Sequence, residues 1–504
     1  MPVYLRKAQS IEEVDEFSSA RSHLAELVER LRSSEAQSMT HAELEELVTR
    51  EGREIERRLL QGHLELRAAR EQVQESIPGA DGVARTHHRI RSRPLATVFG
   101  VVTVLRTAYS TRGREGLCPL DSELNLPEER YSHGLRRHAA IEAARGSFDQ
   151  AVEAVERSTG TKVPKRQVEE LVVRAARDCE AFYAEAADAL SAATDKDLLV
   201  LSLDGKGVVM RREDLREATQ ERAAASEHKL GQRLSKGEKR NRKRMATVAA
   251  VYDLEPQVRF PSDIIADLRP MRDVSRKRPR ARNKRVWASV EKSAIDVTRA
   301  VFEEAHRRDP EHRRPWVVLV DGDRHQIARV RAMARCFRVK VTLVVDFIHV
   351  LEYLWKAAWC FFAEGDRATD AWVTERAGFI LEGRSGAVAA GIRRSATRRN
   401  LAAKDRKGVD ACCDYLIAKR SMLAYAGYLA QGFPIATGVI EGACRHLICD
   451  RMDITGARWG LRGAEAILCL RSLRSSGDLD DYWRFHLDRE HQRNHAAHYA
   501  QAAA

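Results

Sequence analysis

The sequence predicts an α/β protein: a mixed sheet with a helical insertion, preceded by mainly helical domains. Three observations point there. The aliphatic runs Leu198–Leu203 and Trp316–Val320 each end in Asp-Gly, and short apolar runs bounded by turn residues read as buried strands. A third run, Val341–Val345, ends in Asp346. Between and before these runs, apolar residues recur at helical spacing over long polar stretches.

Taken in order, region 1–80 is polar and nearly free of proline and glycine. Leu24, Leu27, Val28 and Leu31, then Leu44, Leu47 and Val48, then Leu59, Leu60 and Leu64 mark helices with broad charged faces. This arm reads either as a partner-facing or dimerising surface or as a plain bundle. In region 81–130, Ala96–Phe99 and Val101–Leu105 flank Gly100 and predict a small β-hairpin. The stretch 116–130, punctuated by Pro119 and Pro127, predicts an irregular linker.

Region 131–190 carries three short helical patterns. His133–Ala144 leads to Gly146, Ser147 is placed to cap Phe148–Arg157, and Pro164 opens Lys165–Arg177. Three short helices with Lys162, Lys165 and Arg166 at the start of the third resemble a helix-turn-helix DNA-binding domain. An ordinary helical triplet fits the same pattern.

Region 191–349 holds the acid-ended strands and is the expected first part of the core. Ala246–Tyr252 is expected to pair antiparallel with the first strand, and a helix over Arg285–Arg307 to lead into the second acid strand. Region 350–430 reads as a helical, aromatic insertion, with Trp355 and Trp359 in its core. Region 431–485 returns to the core with a helix starting near Gly438, where Thr437 is a candidate cap and Glu441 lies in the first turn. Residues 486–504 are expected to form a flexible tail.

Composition narrows the partner. The chain of 504 residues has 86 Lys+Arg against 73 Asp+Glu, a net charge of +13, which favours a polyanion. The charge is clustered. One run contains Lys239, Arg240, Arg242, Lys243 and Arg244, and a second contains Arg276, Lys277 and Arg278. Together with Lys165 and Arg166 these are the candidate DNA-binding residues, because phosphate backbones are held by Lys/Arg clusters of this kind. Nine cysteines in so long a chain do not make a disulfide scaffold, and no apolar run reaches the ~20 residues that span a bilayer. A cytoplasmic protein away from membranes is expected.

Two aspartates at strand ends, Asp204 and Asp321, with Glu441 on a later helix, meet the requirement for a two-metal site. Hard oxygen ligands hold paired magnesium ions roughly 3.5–4 Å apart, one activating the attacking oxygen and one stabilising the leaving oxygen. Asp204 read alone is a turn-forming Asp-Gly; the matching strand at Asp321 favours ligation. Asp323 reads as a loop cap, and Glu441 also has Arg445 at i+4 as a possible partner. Cys444, His446 and Cys449 look like a zinc cluster, but on one helix positions 444 and 446 point roughly 200° apart, so they cannot share an ion.

The motifs LSLDGKGV, VVLVDGDRHQI, VVDFIHVLEYLW, GVIEGACRHLICDRM and TGARWGLRGAEAILCLRSL resemble, in order, those of ISKra-type insertion-sequence transposases. These are DDE transposases with a ribonuclease-H-like core, related to the Mutator-like group. The resemblance runs from about residue 198 to 483, with an echo at GLCPLDSELNLP. It implies Asp204, Asp321 and Glu441 as catalytic, metal-binding acids using two magnesium ions, for which manganese can substitute. It also implies accessory roles for Asp346 and His349, as the DxxH signature, and for Trp459, as the tryptophan of the closing RW motif. Where such proteins carry a cysteine-based zinc ribbon, the stretch from Arg106 to Pro119 holds the single cysteine Cys118.

The implied activity is magnesium-dependent cleavage and strand transfer on double-stranded DNA, at element ends and target. The implied assembly is a homodimer or higher oligomer on DNA, in a bacterial, nucleoid-associated setting. Two alternatives share the sequence: a ribonuclease-H-like nuclease without strand transfer, and a non-catalytic repressor derived from a transposase.

Overall fold

The computed structural model describes residues 15–185, 194, 196–225, 238, 242–268, 279–363, 365–454 and 456–500. The chain divides into two compact units, one of Met1–Phe182 with Asp480–Ala504 and one of Tyr183–Leu479.

The first unit opens with helices α1 (Ser18–Arg32) and α2 (His41–Ala69). Thr40 and Glu43 form a reciprocal capping box at the start of α2. The ribbon that follows is longer than the sequence suggests: β1 (His87–Thr97) and β2 (Gly100–Ser110) pair antiparallel along their whole length. Leu95, Val102 and Val104 of its inner face pack on Leu64 and Leu126. The expected linker contains a short helix at Pro119–Glu123, with Pro119 at its first position.

Helices α3 (His133–Arg145), α4 (Phe148–Thr159) and α5 (Lys165–Ala176) lie where the sequence places them. Ser147 caps α4 in a box with Gln150, and Gly160 ends it with φ +70°, a left-handed conformation that suits glycine. Leu135, Ala139, Val155, Val168, Leu171 and Val172 form the buried seam.

The expected flexible tail at 486–504 is corrected. A helix spans Leu479–Asn494, and its His486 and Glu490 are buried. The helix buries Tyr482 and Trp483 before residue 486, but beyond it the buried groups are the polar His486 and Glu490, so the sequence there reads as tail.

The second unit is built on a five-stranded sheet. Its strands are β3 (Leu198–Val209), β4 (Lys243–Leu254), β5 (Arg282–Ser289), β6 (Trp316–Val320) and β7 (Val341–Val345). The order is β5-β4-β3-β6-β7. β3 runs antiparallel to β4 and parallel to β6; β4–β5 is antiparallel and β6–β7 parallel.

Strand β5 corrects the expected helix over Arg285–Arg307. Val286 and Ala288 are buried, while Arg282, Lys284 and Arg285 crowd the first half of the strand. The helix α6 (Ala294–Arg308) starts later, at a Ser293–Asp296 capping box. Basic residues suit an edge strand, which must discourage pairing with other chains; those same residues hid the strand's period.

Helix α7 (Arg324–Cys336) joins β6 to β7. Helices α8 (Phe347–Ala358), α9 (Arg367–Leu381), α10 (Ser385–Arg398) and α11 (Lys407–Ala418) form the expected insertion. Its core uses Leu354, Ala357, Val373, Ile380 and Cys412, while Trp359, expected inside, is exposed. A continuous helical stretch from Gly438 to Met452 follows, with a π-helical turn over Cys444–Cys449. Such turns are rare and often sit at functional sites. Among the described residues no helix is long and apolar enough to cross a membrane.

Candidate active site

Register brings the strand-end acids into one row. The last pair of the β3–β6 ladder is Ser202 with Leu319, and Asp204 and Asp321 each lie two residues beyond it. The β6–β7 ladder pairs Val320 with Val345, so one residue further Asp321 stands opposite Asp346. Asp321 and Asp346 directly follow β6 and β7, at the carboxyl edge where open α/β sheets place their chemistry. Asp204, expected at the end of its strand, lies instead within β3, which runs on beside β4 to Val209 after its pairing with β6 has ended.

Each acid is held differently. Asp204 Oδ1 accepts from the Gly205 amide at 2.6 Å, and Oδ2 accepts from the Cys444 thiol at 3.1 Å. Asp321 Oδ1 accepts from the Asp323 amide at 2.7 Å, and the Asp321 carbonyl accepts from the Tyr415 hydroxyl at 2.7 Å. Asp323 itself caps α7, accepting from the Gln326 amide at 2.8 Å. Asp346 is fully buried; it caps α8 by accepting from the Ile348 amide at 2.8 Å, and it also accepts from the Thr437 hydroxyl. Burial raises its carboxyl above the ordinary range.

Glu441 lies in the first turn of the helix that starts at Gly438, its amide bonded to the Thr437 carbonyl at 3.0 Å. Thr437 occupies the capping position, as expected, but its side chain makes no cap and serves Asp346 instead. Burial raises the Glu441 carboxyl, and the Asp346 and Asp204 carboxylates push the same way, with His349 opposing. Glu441 thus shares a field with both outer acids of the row. Arg445 does not pair with it but turns toward Asp450 at 3.7 Å. His349, in the first turn of α8, has Nδ1 3.4 Å from Glu352.

Carboxylates gathered at one sheet edge, with Glu441 raised by burial and by Asp346 and Asp204, form a donor set that fits divalent cations preferring oxygen ligands. Among the described residues, the group of three ligand-type side chains whose donor atoms all lie within 4.8 Å is a different one, Asp178, His486 and Glu490. Asp204, Asp321 and Glu441 do not share that spacing.

The Asp178 group lies in the first unit and was not legible in the sequence, Asp178 being 308 residues from His486. Arginines occupy its lone pairs. Arg136 donates to Glu490 at 2.6 Å and contacts His486 Nε2 at 3.0 Å, while Arg177 and Arg493 also bond Glu490. His486 Nδ1 meets Asp178 at 2.7 Å. With guanidinium groups on these atoms, the cluster is a buried ion-pair network rather than a cation site.

Trp459, an expected accessory residue, is buried. Its indole N–H donates to the Met452 carbonyl at 3.0 Å, and the Arg451 guanidinium lies 4.6 Å from its ring centroid. Its backbone bonds Val209 and Arg211, tying the segment after the glutamate helix to the end of β3. Cys444 is buried and His446 exposed, as their opposed helical positions require.

Of the candidate DNA-binding residues, Lys165 and Arg166 are exposed at the amino end of α5, paired with Asp149 (2.8 Å) and Glu170 (3.3 Å). Arg242 is buried. Lys243 and Arg244 belong to strand β4 rather than to a loop, and Arg244 donates to the carbonyls of Val290 (2.8 Å) and Asp214 (3.1 Å). The alternation of a strand turned part of this basic run into structural cations. Lys239, Arg240, Arg276, Lys277 and Arg278 lie outside the described residues. No family model and no curated protein matches the chain.

Proposed function

We propose that the chain is a DDE-type DNA transposase with a ribonuclease-H-like catalytic unit. The observation that carries the reading is that Asp204 and Asp321 each lie two residues past the last pair of the adjacent parallel strands β3 and β6, with Glu441 in the field of Asp204. Further support comes from the sheet order β5-β4-β3-β6-β7 with β4 antiparallel, the arrangement of a ribonuclease-H-like core, and from a helical insertion between the second and third acids. The ordered resemblance to ISKra-type transposases points the same way.

In this reading Asp204, Asp321 and Glu441 would hold two magnesium ions, which when bound supply activation of the attacking oxygen and stabilisation of the leaving oxygen. Asp346 orients the glutamate helix through Thr437, and Tyr415 fixes the backbone of Asp321. Water attacks the phosphorus at the element boundary and the P–O3′ bond breaks, leaving a 3′ hydroxyl on the element end and a 5′ phosphate on the flank. That hydroxyl attacks a target phosphodiester; a new P–O bond forms as the target's own 3′ oxygen departs and takes up a proton. The helix-turn-helix-like domain α3–α5 binds terminal repeats, and two chains act together on two ends.

Incubation with labelled element-end DNA and a plasmid target, with and without magnesium, tests this. Joined products are expected. Cleavage without joining would establish the nuclease instead, and DNA binding without magnesium-dependent chemistry the repressor.

A further inference from the structure

We propose that Gln326 is a positioning residue that sets the separation of Asp204 and Asp321. The inference rests on the reading of these two as metal-binding acids. Continued past Ser202 and Leu319, the β3–β6 ladder would pair Leu203 with Val320 and Asp204 with Asp321. It stops short instead, and the Gln326 side chain fills the interval. Its Nε2 donates to the Leu203 carbonyl at 2.8 Å, and its Oε1 accepts from the Asp321 amide at 3.3 Å.

A primary amide offers the donor and acceptor of a peptide group, so Gln326 stands in for the missing rung. Two backbones bridged through an intervening amide lie further apart than the ~4.8 Å of directly bonded strands. The wider gap leaves room for an ion and a phosphate oxygen between the carboxylates, where Mg²⁺–oxygen distances are about 2.0–2.1 Å.

The bridge is held rigidly. Gln326 is 6% exposed, so water does not compete for its amide. Its own backbone N–H is fixed by Asp323 at 2.8 Å. On the far side of the same residue Tyr415 holds the Asp321 carbonyl at 2.7 Å. Asp321 is thereby pinned at both its N–H and its C=O.

The test compares the full-length wild type with Gln326→Leu, which keeps the volume and removes both bonds. Two readouts are taken: Mn²⁺ binding by electron paramagnetic resonance, and the magnesium concentration giving half-maximal cleavage of element-end DNA. We expect Gln326→Leu to bind Mn²⁺ about tenfold or more weakly and to need correspondingly more magnesium. A merely structural role would lower the active fraction and leave both midpoints in place, which would overturn the proposal. If that variant fails to fold, Gln326→Glu serves: it retains the acceptor for Asp321 and loses the donor to Leu203, and the same shift is expected. A wild type that neither binds Mn²⁺ nor cleaves would remove the metal-acid reading and this inference with it. A wild type that does both, matched by the folded variant, would remove the positioning role alone.

Discussion

The hydroxyl of Thr437 donates to the carboxylate of Asp346, a side chain 91 residues earlier, and both groups are buried. One bond thus joins the end of β7 to the start of the glutamate helix. It also explains a helix whose capping residue makes no cap. Removing the hydroxyl leaves a buried carboxylate short of a donor, a loss of roughly 1.5–3 kcal/mol for a hydrogen bond to a charged group. Thr437→Val is therefore expected to lower the thermal midpoint by several degrees, with Thr437→Ser close to wild type. Calorimetry of the three proteins checks this, and equal midpoints would contradict it.

Cys444 bears on the first acid. Burial pushes its thiol up, and the neighbouring Asp204 carboxylate adds to the effect, so it stays protonated and donates to Asp204. The thiolate is the reactive form. At pH 8, alkylation followed by peptide mass mapping is expected to modify the exposed Cys336 and to spare Cys444 in the native protein. Equal labelling of the two would contradict the buried donor.

Acid should weaken the first unit. Burial, with the nearby Arg136 charge adding to it, lowers His133 to about 3. Burial also holds His486 below the usual imidazole range, against the opposing pull of Asp178. Both residues bind protons more readily unfolded, where the pKa is about 6.5. Their contribution is thus fully present above about pH 6.5 and is lost as pH falls toward the folded values. The lowest-temperature unfolding transition is expected to be level from pH 8 to 7 and to fall steadily from pH 6.5 to 5. A level profile across that range would contradict it.

At the amino end of α5, Lys165 and Arg166 form exposed ion pairs, which contribute little to stability and exchange readily for phosphate. The double variant Lys165→Ala/Arg166→Ala is expected to fold normally and to bind DNA of any sequence more weakly. Each lost phosphate contact removes about 0.9 from the slope of log K against log[salt], so the slope should flatten by about 2. Anisotropy titrations over a salt series measure this, and an unchanged slope would take α5 off the DNA.

The acid-ended strands were legible because aliphatic runs closed by Asp-Gly have few other readings, and α3–α5 because Ser147, Gly160 and Pro164 mark their ends. Strand β5 was hidden by the arginines and lysine that suit an edge. The second half of the helix Leu479–Asn494 was hidden because there it buries His486 and Glu490 among arginines rather than apolar residues. Gln326 and Thr437 carry no local signal at all: one bridges two strands by register, the other reaches across 91 residues, and neither relation is written in spacing along the chain. The basic run at Arg242–Arg244 shows the reverse error: charge was read as surface, but Arg242 is buried and Arg244 turns to the carbonyls of Val290 and Asp214.

The most direct measurement is single-turnover cleavage of labelled element-end DNA by wild type, Asp204→Asn, Asp321→Asn and Glu441→Gln over a magnesium series, with DNA binding followed in parallel. The expected result is magnesium-dependent cleavage by wild type and a loss of a thousandfold or more in each variant, with DNA affinity kept. Cleavage by all four proteins at similar rates would show that these acids do not carry the chemistry.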